Sequence, residues 1–372
     1  MNITPSSFTV FLDYNILRSI VWIIVCIAIP GNIFVITQMM LTLRRTTLAR
    51  KVGPVQFSLY SRLNIQKNPA LFILFNLAIT DLLGGIYLLI LIVGDIMYSH
   101  YGNNILAFNA TDNISIITYQ WITSGSCFTA RLFAQLTIIM KAAMSLSLAV
   151  NRYRSVYYPY SRRSKIKFYR LLIAICWILS IAFALCVTSW SMKVLDGAPI
   201  GKFSIISRMC IMDKGLGHIL RALGLSQLFL GCACYICVII LYIKISHRLK
   251  RSRRQFASDV SDNINREIQI LSTVIVLTDV IAFIGITFVS LFLLQSGQTE
   301  WNEIMAILLV LLYANTAIDP LVYLLFRSRI VRSVISWLNI RMTWLLTPIE
   351  RNIVSVPTDN IHLGDMTASH HR

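Results

Sequence analysis

Seven runs of the chain, at 17–43, 69–97, 126–151, 168–190, 218–244, 268–295 and 303–326, are each long and apolar enough to cross a bilayer as a helix. Hydrocarbon tolerates no unsatisfied backbone, so runs of this length leave helices that must pack on one another. The expected fold is therefore all-α, a seven-transmembrane helix bundle. Composition agrees, with 56% hydrophobic and only 13% charged residues, about half the charged share of a soluble domain. No connection between spans is long enough for another domain, and no internal repeat is visible.

The formal net charge of +18 would suggest nucleic acid as partner in a soluble protein. Here the basic residues are sorted by loop instead. Most Lys and Arg follow the first, third, fifth and seventh spans, whereas the first and third loops on the other side hold none. The positive-inside rule places the amino terminus outside. The sequons at Asn2, Asn109 and Asn113 then all face outward, where glycosylation occurs. The first 16 residues are polar without a basic start, so the first span is expected to act as its own insertion signal.

The expected organisation is a short extracellular tail at 1–16, the seven-transmembrane bundle at 17–326, an amphipathic membrane-surface helix at 327–346 and a disordered cytoplasmic tail at 347–372. Arg residues interleaved with Ile, Val, Trp and Leu in "RSRIVRSVISWLNIRMTWLL" support the surface helix. The basic loops are candidate contacts for anionic membrane lipids and cytosolic partners. Of eight cysteines, six fall within spans and read as small apolar packing residues. Only Cys127 and Cys210 face outside, and a disulfide between them would tie the top of the third span to the second outer loop.

Within the third span, "LTIIMKAAMSLSL" places Lys141 in an apolar run. An ammonium at the bilayer midplane costs several kcal/mol unless compensated. Depth follows from the helical rise of about 1.5 Å per residue. Counted from the inner ends, Asn32, Asp81, Lys141, Asp279, Asn315 and Asp319 share one level on five helices. A lysine stem is too short to snorkel from there, and lipid-facing charges are excluded energetically, so all six are expected to point into one cavity. Lys141 is expected to be the counter-ion of Asp81 and Asp319. Three carboxylates against one ammonium leave excess negative charge, so one acid should be held as a neutral group, with Asp279 beside Asn315 the candidate.

Charged midplane groups also serve transporters and channels, which is the alternative reading. It predicts repeat symmetry, and none is visible. A seven-helix metal hydrolase would need clustered His and carboxylate ligands at one depth. No histidine lies in a helix core, so no enzyme, metal or cofactor is expected.

Several motifs carry a resemblance over nearly the whole chain: "GN" at Gly31 and Asn32, "NLAITDLL" in the second span, and Cys127 set 25 residues before Arg152. They continue with "NRYRSVYYP", Trp177 in the fourth span and "DPLVY" in the seventh. In order and spacing the sequence resembles rhodopsin-like (class A) G-protein-coupled receptors. Within them it is most similar to the glycoprotein-hormone and relaxin receptors, through "LAITDLLGGIYLLILIVGD", "WITSGSC", "VLTD" and "LLVLLYANTAIDP". Those receptors usually carry leucine-rich repeats ahead of the first span, and this sequence shows none, so the resemblance does not transfer their hormones.

The resemblance implies a cell-surface receptor in the plasma membrane that couples an unknown extracellular ligand to a heterotrimeric G protein, with arrestin as a candidate second partner. It implies an activation switch at Asn151, Arg152, Tyr153, Asp319, Pro320 and Tyr323. Arg152 would contact the G protein, Tyr323 would swing in to stabilise the open form, and Tyr160 would dock from the second inner loop. Asp81, Asn315 and Asp319 match the family's sodium site, with Lys141 where a small polar residue is usual. Asp279 and Asn315 match the hormone-receptor pair between the sixth and seventh spans.

Asn151 stands where the family has an acid, so restraint on Arg152 should weaken and basal signalling rise. Glu267 is the candidate replacement partner. The fifth and sixth spans lack the family's prolines, leaving Gly231 and Gly285 as the possible sources of a kink. Ala134 occupies the position where amine receptors carry an aspartate, which disfavours an amine ligand. Arg131, Gln135, Phe283, Thr287 and Tyr313 are expected to face an outer cavity, with Arg131 either holding an acidic ligand group, snorkelling, or paired with Asp95.

Overall fold

A computed structural model describes residues 15–49, 68–105, 110–158, 166–196, 208–211, 218–252, 270–285, 287 and 301–327. The chain divides into two compact units, Met1–Leu324 and Leu325–Arg372. Of the second unit, only the end of a helix at 325–327 is described. The expected helix at 327–346 and tail at 347–372 therefore lie outside the described residues, as do the inner loops.

In the first unit the helices are α1 (Asn15–Ala49), α2 (Pro69–Ile105), α3 (Ala110–Thr123), α4 (Gly125–Tyr157), α5 (Ile166–Asp196) and α6 (His218–Ser252). They are followed by α7 (Ile270–Gly285) and α8 (Trp301–Arg327), which runs to the unit's end and three residues beyond. All but α3 coincide with the seven expected spans. α3 falls between the second and third spans, where the apolar runs gave no reason to place an element.

The spans invert the soluble pattern. Leu171, Ile178, Leu179, Phe229, Leu230, Leu277 and Ile281 are exposed, as a lipid-facing surface requires, while the polar residues turn inward. α4 packs against α2, α5 and α6 and is the central helix. Its start is set by Ser124, whose hydroxyl accepts from the Cys127 amide at 3.1 Å as an N-cap. The cap fixes the first turn and so presents Cys127 to the outer loop, where it forms a disulfide with Cys210.

The outer half is closed by aromatic packing. Trp121 of α3 is fully buried, and a Cβ on Gly94 of α2 would overlap its indole ring. Only glycine lets these two helices approach so closely. The Trp121 indole N–H donates to the Arg208 carbonyl at 2.6 Å, and the Tyr87 hydroxyl to the Met209 carbonyl at 3.0 Å. With the disulfide, these bonds seat residues 208–210 on the bundle. Lower down, the Trp177 indole donates to Asn76 Oδ1 at 3.1 Å, joining α5 to α2. On α6, Gly231 receives the Phe283 ring of α7, and a Cβ there would meet Cζ at 2.5 Å. Its place in the structure is a close approach between helices.

Candidate functional site

Lys141 is 5% exposed at the middle of α4, and its Nζ lies 2.7 Å from Asp81 Oδ1 of α2. Asp319 Oδ2 of α8 is at 3.3 Å and Asp279 Oδ1 of α7 at 3.5 Å. One ammonium thus joins carboxylates from three other helices. Desolvated charges persist only when paired, and removing one partner of such a group costs about 3–5 kcal/mol. The three acids sit on α2, α7 and α8, so relative motion of those helices must stretch or exchange these contacts.

Asp279 has further donors. Asn315 donates to its Oδ1, and Ser145 donates to Oδ2 at 2.6 Å. Ser145 lies one helical turn after Lys141 on the same face of α4. Both oxygens of Asp279 therefore accept hydrogen bonds, whereas both Asp81 oxygens and Asp319 Oδ1 lack an aligned donor. The 2.7 Å contact to Asp81 is an ion pair outside hydrogen-bonding alignment. Hydrogen bonding thus places the shortfall of donors at Asp81 and Asp319, away from the Asp279 and Asn315 pair to which the sequence assigned the neutral acid. Asn32 shares the depth but binds backbone, donating to the Ala28 and Thr316 carbonyls at 2.9 Å each and tying α1 to α8. Above Lys141, a space of about 10 Å³ bordered by Tyr235, Phe283 and Tyr313 has room for one water at most.

At the inner end of α4, Asn151 and Arg152 are half-buried. The Arg152 guanidinium lies 5.5 Å from the centre of the Tyr242 ring on α6, a cation–π distance. Tyr242 also borders a cavity of about 320 Å³ between α6 and α7, with Val238, Ser246, Thr273, Val276 and Val280. Tyr153 stacks on Tyr157 at 4.3 Å, and the Tyr157 hydroxyl donates to the Lys244 carbonyl at 3.1 Å. Pro320 and Tyr323 border a small space with Asn32, Asp81 and Asp319. Tyr160 and Glu267 lie outside the described residues.

The expected outer-cavity residues divide among different neighbours. Tyr313 is buried, donates to the Ala134 carbonyl at 3.1 Å and packs on Tyr87 at 4.6 Å. Phe283 packs on Tyr235 at 4.5 Å, and Thr287 accepts a long contact from Cys232 Sγ at 3.9 Å. Arg131 and Gln135 are buried, and Arg131 reaches α5. Asp95 corrects the sequence reading: its carboxylate receives Arg18 of α1 at 2.7 Å, so it is committed to the α1–α2 contact and not to Arg131. Arg131 does not snorkel either, being 2% exposed. Of the sequons, Asn113 lies in α3, and Asn2 and Asn109 lie outside the described residues.

The sequence reading missed Ser145, Tyr242 and Arg18. A turn of helix separates Ser145 from Lys141, which was a usable signal. The other two reach partners on neighbouring helices, and nothing in their own surroundings announces it.

A central helix carrying a buried base, acids converging from three others and an outer disulfide define a polytopic helical bundle with an internal polar cluster. The chain belongs to the seven-transmembrane receptor (rhodopsin) family, whose sequence profile matches residues 55–323. It is a class A receptor and a multi-pass protein of the plasma membrane. Among curated proteins it is similar to the follicle-stimulating hormone receptor of Cairina moschata, 24% identical over 85% of this chain and 39% of that protein. It is also similar to the thyrotropin receptor of Canis lupus familiaris, 22% identical over 87% of this chain and 36% of that protein. The chain thus spans under two-fifths of the length of either. In fold it matches squid rhodopsin with a TM-score of 0.53 at 16% identity, covering 94% of both chains.

Proposed function

We propose that this chain is a receptor that couples an extracellular ligand to heterotrimeric G proteins and signals appreciably without ligand. The observation that carries this reading is Arg152 at the inner end of the central helix. Its guanidinium stacks on Tyr242, beside the space of about 320 Å³ between α6 and α7. An arginine there suits the carbonyl-rich end of a partner helix. Tyr153, Tyr160, Pro320 and Tyr323 form the rest of this switch, and arrestin would use the same inner face. The basic inner segments, with a surface helix at 327–346, would rest on anionic lipid.

Two features support raised basal signalling. Asn151 carries no charge to hold Arg152, and Arg152 already engages α6 through Tyr242. Lys141 supplies a tethered cation among the acids that would otherwise receive sodium. The inactive state is then insensitive to sodium. The test is G-protein activation in cells expressing the native chain, against an Arg152→Ala control at equal surface expression. Activation above mock-transfected cells that disappears with Arg152→Ala is expected. Equal signals from the two proteins would remove the reading.

A further inference from the structure

Arg131 lies in the outer half of α4 with its whole side chain enclosed, and no described carboxylate is within ion-pair distance of it. Its Nη1 donates to Ser191 Oγ of α5 at 2.7 Å and contacts Met192 Sδ at 3.5 Å, and its Nη2 lies 3.9 Å from Cys127 Sγ. Its Nε has no partner. Asp95, one of the partners the sequence offered it, is held by Arg18.

Two further buried polar atoms without partners lie in helical register with this contact. Gln135 is one turn inward of Arg131 on α4, and its Oε1 has no donor. Thr188 is one turn inward of Ser191 on α5, and its hydroxyl has no partner. Because α4 and α5 run in opposite directions, Gln135 and Thr188 fall at matching depth just below the Arg131–Ser191 contact. The Ser191 hydroxyl is occupied, donating to the Thr188 carbonyl at 2.8 Å while accepting from Arg131. That leaves Arg131 Nε–H and the Thr188 hydroxyl as donors. Gln135 adds its amide N–H once the side-chain amide is rotated, which exchanges its nitrogen and oxygen.

We propose that Arg131, Gln135 and Thr188, with Ser191 positioning the guanidinium, form a buried site for a small monovalent anion of the halide class, chloride being the abundant one. A water molecule would satisfy the orphaned hydroxyl and amide but would add no counter-charge to a guanidinium that has none among the described residues, and a buried ion without a counter-charge is the costlier defect. Size follows from burial. Arg131, Gln135, Thr188 and Ser191 are between 0% and 3% exposed, an enclosure that suits a small ion and not the acidic group of a bulky ligand. The site lies one turn below the disulfide that pins the outer loop, so its occupancy adds to the stability of the outer end.

The test uses the purified full chain in lipid nanodiscs at constant sodium, with chloride exchanged for gluconate, which is too large to enter. Chloride, and bromide in its place, should raise the melting temperature saturably by several degrees over gluconate. Thr188→Val removes one donor and should raise the chloride concentration needed by about tenfold, the loss of one charge-assisted hydrogen bond. Arg131→Gln should abolish the response. If the native chain melts equally in chloride and gluconate, the guanidinium is neutralised by a carboxylate of the chain and the proposal fails. It fails equally if the chloride response is unchanged in Thr188→Val. That variant alters one methyl-sized group and decides the matter even where Arg131→Gln does not fold.

Discussion

The Lys141 ammonium and the Asp81 carboxylate meet at 2.7 Å between α4 and α2, both enclosed at the depth where a bilayer is driest. Removing Lys141 strands three acids at once, whereas removing Asp81 still leaves the ammonium Asp319 and Asp279. Replacing Lys141 by Met should lower stability by about 3–5 kcal/mol, the usual cost of orphaning a buried charge. The check is a melting curve of purified protein. A loss below 1 kcal/mol would mean the acids carry no net charge for Lys141 to balance.

Asn151 gives a prediction of opposite sign for signalling. Asn151→Asp introduces a carboxylate beside Arg152 and should favour the inactive state, each 1.4 kcal/mol of new restraint lowering the active fraction about tenfold. Ligand-free G-protein activation at matched surface expression reads this directly. No change, or a rise, would show that Arg152 is restrained from elsewhere.

Gly94 is predicted to be intolerant of any side chain. Valine there would need the space filled by the Trp121 indole, and overpacking costs about 1–3 kcal/mol. Displacing Trp121 would also break its 2.6 Å bond to the Arg208 carbonyl. Gly94→Val should therefore lower both melting temperature and surface expression. Trp121→Ala in the same background should recover part of the loss, because it vacates the space the valine needs, but not the bond to the Arg208 carbonyl.

Cys210→Ser opens the tie between α4 and the outer loop, which closes a sequence separation of 83 residues. Loss of a native disulfide typically costs about 2–5 kcal/mol. Non-reducing peptide mapping should find Cys127 and Cys210 linked in the native chain, and Cys210→Ser should reach the surface poorly. The double variant Cys127→Ser/Cys210→Ser should behave no worse than either single change.

What the sequence revealed was governed by range. The seven spans follow from hydrocarbon thickness, and the convergence of Asp81, Lys141, Asp279 and Asp319 follows from helical rise, which sets a common depth, together with the exclusion of charge from lipid. Direction around the helix was harder. Asn32 shares the depth but turns to backbone carbonyls of α1 and α8, a choice set by neighbours that a single segment does not display. Asp95 found Arg18 on α1 for the same reason. α3 escaped because a short outer helix, Ala110–Thr123, has neither a membrane-length run nor a strong local start signal.

The claim at the centre of this account is that Lys141 takes the place of a mobile sodium ion. Basal G-protein activation measured in low and high sodium, for the native receptor and for Lys141→Ser, tests it most directly. The account predicts a flat response in the native protein and a basal signal that falls with sodium in Lys141→Ser. A larger sodium response in the native protein than in the variant would contradict it.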